Sequence, residues 1–118
     1  MALSLAHITI DCADPQRVAG FRPAALGRSI NSRGSEYFAS IGDQSPSAAP
    51  PVWFFIRVPE PKSGKNRVHV DLRADDREAE VARLRGLGAE KVSDHDEWGA
   101  QWTVLRDVEG NEFCVGQA

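Results

Sequence analysis

HITIDCADPQRVAGFRPAALG, from His7 to Gly27, and HVDLRADDREAEVARLRGLG, from His69 to Gly88, are two versions of one pattern. Each opens on a histidine, alternates apolar and polar residues, turns at an acidic corner and runs through a helical stretch to a Leu-Gly pair. The histidine-to-glycine spacing is 20 in the first and 19 in the second, and one extra residue around Pro15-Gln16 accounts for the difference. The likeness continues past the helices. GSEYFASIGD from Gly34 aligns with GAQWTVLRDVEGN from Gly99, and WFFI (Trp53 to Ile56) with EFCV (Glu112 to Val115). Two related halves are too few for a solenoid, which needs several stacked units. A paired, pseudo-symmetric fold is the alternative.

The strand–helix order follows from local signals. Residues 5–12 and 67–73 alternate apolar and polar with β-branched side chains, so they read as half-buried strands. Ile8 and Ile10 share one face; His7, Thr9 and Asp11 share the other. In the second half, Val70 and Leu72 oppose His69, Asp71 and Arg73. Asp14 is the expected N-cap of the first helix with Pro15 at its first position, and Asp75 or Asp76 caps the second. Pro23 is expected to interrupt the first helix near its end. Val81, Leu84 and Leu87 fall at helical spacing in the second, which Gly88 ends. Residues 35–42, 52–58, 101–106 and 112–116 are further strands, with short ones near 28–32 and 89–93. The Pro- and Ser-rich stretches 43–51 and 59–66 are loops.

The 118 residues allow one domain, here with modules at 1–58 and 67–118 joined by a linker at 59–66. Hydrophobic residues at 42% and charged residues at 26% argue against disorder. A formal charge of −3 gives no electrostatic reason to expect nucleic acid or an anionic membrane as partner. The N-terminal stretch lacks the basic region of a secretory signal, and no apolar run approaches the roughly 20 residues of a membrane span. Two cysteines imply no disulfide framework, so a cytoplasmic protein with reduced thiols is expected.

The histidine-led strand, the acid-capped helix ending in Leu-Gly, their repetition and the ending DVEGNEFCV resemble the vicinal oxygen chelate superfamily, in particular its small glyoxalase-like and bleomycin-resistance-like members. The resemblance covers nearly the whole chain. It implies an α+β fold in which two βαβββ modules form an eight-stranded cup with helices on the outer face, often assembled as a homodimer. Its members include lyases, isomerases, extradiol dioxygenases, thiol transferases and drug-sequestering proteins without chemistry, so the fold constrains function poorly.

Metal-using members hold a divalent ion with histidines on the first and fifth strands and carboxylates on the fourth and eighth. His7 and His69 match the histidine positions, and their equivalent places in the two halves lead to the expectation that they face each other across the cup. The carboxylates depart from the pattern. Cys114 stands four residues after Gly110, where the family's glutamate is expected; Glu112 precedes it on the same strand face, and the fourth-strand position falls near Phe55. Three readings follow. Glu112 or the Cys114 thiolate completes a reduced metal site with His7 and His69, with Glu112 as ligand or catalytic base; or the histidines hydrogen-bond an organic ligand in a metal-free cup; or they are structural.

Alternation gives the ligand side of the argument. Trp53 and Phe55 share a face expected to line the cup, with Glu112 and Cys114 on the corresponding face of the second half; Phe54, Ile56, Phe113 and Val115 then pack on the helices. Trp98 and Trp102 stand at the rim or in the core, and His95 is an exposed loop side chain. Arg57 and Arg73 fall on the expected cup face, where a guanidinium can hold a carboxylate or phosphate. Lys62, Lys65 and Arg67 read as solvated linker. Cys12 and Cys114 read as small buried hydrophobes. The expected function is capture of a small organic molecule in the cup, with metal-assisted lyase, isomerase or dioxygenase chemistry, or as a metal-free drug- or metabolite-sequestering protein.

Overall fold

The computed structural model describes residue 3, residues 5–26, residue 31, residues 34–42 and residues 52–118. The expected strand near 28–32, apart from Asn31, and the expected loop at 43–51 lie outside these residues. The chain divides into two compact units, Met1–Pro61 and Lys62–Ala118. The fold is α+β, and the described residues form two small sheets of three and four strands and one helix in each unit.

In the first unit β1 (His7–Cys12) leads into α1 (Pro15–Leu26), followed by β2 (Phe38–Ile41) and β3 (Val52–Arg57). Their order in the sheet is β1-β3-β2, with β1 parallel and β2 antiparallel to β3. Asp14 caps α1 as expected: its Oδ1 accepts from the backbone N–H of Arg17 at 3.2 Å. The helix continues past Pro23 to Leu26, so the expected interruption is corrected. Asn31 joins this unit through its backbone N–H, which donates to the Ser40 carbonyl at 2.9 Å.

Register decides which side of β3 is the core. Trp53 lies opposite Ile8 and Ile41, and Phe55 opposite Ile10 and Ala39, so these six side chains share a face. Trp53 is 2% exposed and Phe55 fully buried, as are Val18 and Ala19 of α1. Phe54 is half-buried and Ile56 exposed on the other face. The expected sides of β3 are therefore reversed: Trp53 and Phe55 belong to the packed face, and Phe54 shares the open face with His7. A run of five apolar residues, Val52 to Ile56, carries no alternation from which to choose.

The second unit orders β4 (Asp71–Ala74), β7 (Glu112–Gln117), β6 (Ala100–Arg106) and β5 (Glu90–Glu97) across its sheet, and α2 (Arg77–Gly86) lies between β4 and β5 in the chain. Asp76 caps α2 by accepting from the N–H of Ala79 at 3.1 Å. Val81 and Leu84 are buried, whereas Leu87 is 39% exposed and leaves the expected core stripe. Gly88, at φ 115°, turns the chain out of the helix. Phe113, Val115, Leu105 and Thr103 are buried on one face of the sheet, as alternation in β7 required.

Several strand boundaries differ from expectation: β1 begins at His7 rather than at residue 5, and β2 runs only from Phe38 to Ile41 within the expected 35–42. The strand expected over 67–73 begins only at Asp71, so His69 precedes it, although the Cys114 N–H still donates to the Val70 carbonyl at 2.9 Å. The short strand expected near 89–93 extends to Glu97 and carries His95 with it. The hairpin turns on Trp98 and Gly99, both at positive φ (52° and 75°). That is the primed two-residue turn that matches strand twist, here with tryptophan where asparagine or aspartate is usual. Among the described residues, no helix is long and apolar enough to cross a membrane.

Candidate functional site

The open face of the second sheet carries a cavity of about 490 Å³ lined by His69, Asp71, Arg73, Gln101, Trp102 and Cys114 among others. The sheet ladder explains this company. Cys114 lies opposite Asp71 on one side and Val104 on the other, while Trp102 lies opposite Gly116 and His95. Directly opposite residues share a face, so a single surface collects side chains from all four strands.

At one end of the cavity, His69 Nδ1 lies 3.1 Å from Asp71 Oδ1. One donor atom from each of His69, Asp71 and Cys114 lies within 4.8 Å of the other two. Burial pushes the Cys114 thiol up to about 11, and the neighbouring Asp71 carboxylate, which accepts a hydrogen bond from it, adds to the shift. The thiol is thus a protonated donor rather than a nucleophile near neutral pH.

At the other end stand aromatic rings. His95 stacks on Trp102 with centroids 5.0 Å apart and planes inclined by 12°, and Trp98 stacks on Trp102 at 6.1 Å and 12°. His95 is half-buried on β5 and hydrogen-bonded to Ser93 Oγ at 2.8 Å, which corrects its reading as an exposed loop side chain. Trp98 is 90% exposed at the hairpin tip.

Glu112 shares the strand face of Cys114 and is buried. Its Oε2 lies 3.3 Å from the Lys62 ammonium and accepts from the backbone N–H of Asn66 at 3.3 Å, while its backbone carbonyl accepts from Asn66 Nδ2. Burial pushes its carboxyl up, but the N–H groups of Glu112 and Asn66 and the Lys62 ammonium outweigh that and hold it below the ordinary carboxylate value. The segment read as a solvated linker is therefore anchored through Lys62. Nearby, buried Asp107 accepts from the N–H groups of Glu109 and Asn111 and shapes the DVEGN turn, with Gly110 at φ 89°.

His7 belongs to the first unit, exposed on the open face of its sheet, its ring 4.0 Å from that of Phe54. Phe38 meets Phe54 edge-on at 5.1 Å. Arg57 follows Trp53 and Phe55 in the alternation of β3 and ends exposed, its guanidinium 5.5 Å above the Tyr37 ring. Of the side chains expected to meet a ligand, the cavity thus gathers His69, Arg73 and Cys114. Asp71, Gln101 and Gly116 join them without having been singled out as ligand groups, since only strand register reveals their company.

A glyoxalase-like domain model matches residues 7–116. No curated protein matches the chain. Among solved structures, the fold is similar to that of a glyoxalase/bleomycin resistance protein/dioxygenase family enzyme from Burkholderia phytofirmans, with 18% identity over 98% of each chain and a TM-score of 0.77. It is similar to the hypothetical protein SA1046 from S. aureus, with 16% identity over 100% of this chain and 96% of that one and a TM-score of 0.76. The fosfomycin resistance protein FosX from Mesorhizobium loti superposes with a TM-score of 0.73 at 12% identity, covering 100% of this chain and 94% of its own.

Proposed function

The chain belongs to the glyoxalase-like domain family within the vicinal oxygen chelate superfamily, and from that premise we propose that it binds a small organic molecule in the cavity over the second sheet. The observation that carries this reading is the cavity's mixed lining: an indole at one end, a guanidinium, an imidazole and a carboxylate at the other, in a space of about 490 Å³. Small-molecule sites combine apolar walls with a few placed polar groups in volumes of this size. A thermal-shift screen of small organic molecules tests it. Hits should raise the melting temperature of the natural protein and lose that effect in Trp102→Ala and Arg73→Gln. Hits indifferent to both substitutions would refute the assignment.

A second reading adds a divalent metal, supported by the converging donors of His69, Asp71 and Cys114. Imidazole nitrogen, carboxylate oxygen and thiolate sulfur together suit a borderline ion such as zinc or cobalt. These residues would hold the ion, which would supply Lewis-acid polarisation of a ligand oxygen when bound. Glu112 fits this role less well, since its carboxylate is already held by Lys62 and Asn66. Binding would release the Cys114 proton. A cobalt titration that develops no thiolate-to-metal absorption at any pH up to 9 would remove this reading and leave the sequestering one.

Homodimeric assembly and a cytoplasmic setting belong to the same proposal. Family membership supports the first, and a sequence with two cysteines and no disulfide framework suits the second. Light scattering at micromolar concentration checks the assembly.

A further inference from the structure

One row of the second sheet reads Arg73, Gly116, Trp102, His95 from β4 to β5, each residue directly opposite the next. Neighbouring strands lie about 4.8 Å apart, so the backbones bearing Arg73 and Trp102 are roughly 10 Å apart with only a glycine between them. That glycine is not demanded by the backbone, because Gly116 is absent from the positive-φ positions. Nor is it demanded by packing. A Cβ there would meet only the Leu72 and Gln101 carbonyl oxygens at 3.7 and 3.9 Å, ordinary contacts. Glycine inside a strand weakens it and often marks close approach by a ligand. Here its missing side chain opens a slot in the cavity floor.

The two walls of the slot differ in chemistry. Trp102 is half-buried and braced by parallel stacking on His95 and Trp98. Arg73 is exposed and, among the described residues, makes no ion pair. Its nearest acidic neighbour on β4, Asp71, is taken up by His69 and the Cys114 thiol.

We propose that the slot over Gly116 is a subsite for a flat aromatic carboxylate of one or two fused rings. The ring stands on the glycine floor with its face against Trp102, and its carboxylate meets the Arg73 guanidinium. This rests on the ligand-binding reading of the same cavity and names the substrate class.

Calorimetric titration with 2-naphthoate and with its saturated counterpart, decahydro-2-naphthoate, tests it. The natural protein should bind the flat acid about tenfold more tightly, since ring stacking adds to area burial. Trp102→Leu should erase that preference, and Arg73→Gln should weaken both acids alike. Gly116→Val should abolish binding of the flat acid while the melting temperature holds or rises, because valine suits a strand. Equal affinity for the two acids, unchanged 2-naphthoate binding in Gly116→Val, or no binding of either acid overturns the subsite. The cavity reading stands or falls separately, on whether hits of any other chemistry in the thermal-shift screen depend on Trp102 and Arg73.

Discussion

Glu112 and Lys62 form an ion pair at 3.3 Å, with the Glu112 side chain only 5% exposed. A charge buried to that degree depends on its partners, so the pair fastens the segment leading into β4 to the start of β7. Because the folded-state pKa of Glu112 is depressed, its contribution is complete above the ordinary glutamate value of about 4.3 and is lost as pH falls from there through the folded value. Glu112→Gln should cost about 1–2 kcal/mol at pH 7. It should also flatten the loss of stability between neutral and acid pH, which urea titrations at pH 7 and pH 3.5 would measure.

The packed side of β3 makes a contrasting pair of variants. Phe55 is fully buried opposite Ile10 and Ala39, so Phe55→Ala should lower stability by about 3–5 kcal/mol through lost burial and a cavity. Phe54→Ala, on the half-buried face beside His7, should cost less than half as much. Chemical denaturation of both variants distinguishes core from open face.

The hairpin tip carries strain. Trp98 at φ 52° adopts a conformation unfavourable for a bulky residue, and its ring is 90% exposed, so little burial offsets the cost. Trp98→Asn places the favoured residue before Gly99 in this turn. The net gain should be about 0.5–1 kcal/mol after subtracting the lost stack on Trp102. A higher urea midpoint with unchanged slope would record it.

With its pKa pushed up to about 11, Cys114 exposes about one thiolate in a thousand at pH 8. In a Cys12→Ser background, its reaction with an aromatic disulfide should be at least tenfold slower than that of a free thiol. Asp71→Asn removes the neighbouring negative charge and should speed the reaction several-fold. Stopped-flow absorbance follows both rates.

The repeat was legible because each half writes its strand, cap and helix end in strong local signals: the histidine-led alternation, Asp14 and Asp76 at N-caps, and Gly88 beyond α2. The face of β7 was legible as well, since Glu112 and Cys114 alternate with Phe113 and Val115. β3 was not, because VWFFI is apolar on both sides and only pairing with Ile8 and Ile10 separates them. The second half of β5 was hidden by its charge: SDHDE reads as loop, and the turn that closes the hairpin uses tryptophan in place of a residue that signals it. The cavity's membership lay beyond reach because Gly116 acquires meaning only from its neighbours across the sheet.

β1 pairs parallel with β3 and β4 pairs parallel with β7, His7 opposite Val52 and Asp71 opposite Cys114, so the partners lie 45 and 43 positions apart in the chain. Closing loops of that length is entropically slow, whereas the β5–β6 hairpin needs only its two-residue turn. The second unit should therefore nucleate at the hairpin and finish when β4 docks. Kinetic φ-values near one at Thr103 and near zero at Leu72 are the signature of that order. During synthesis, the slot beside Arg73 would come into being last, after every residue of β7 has left the ribosome.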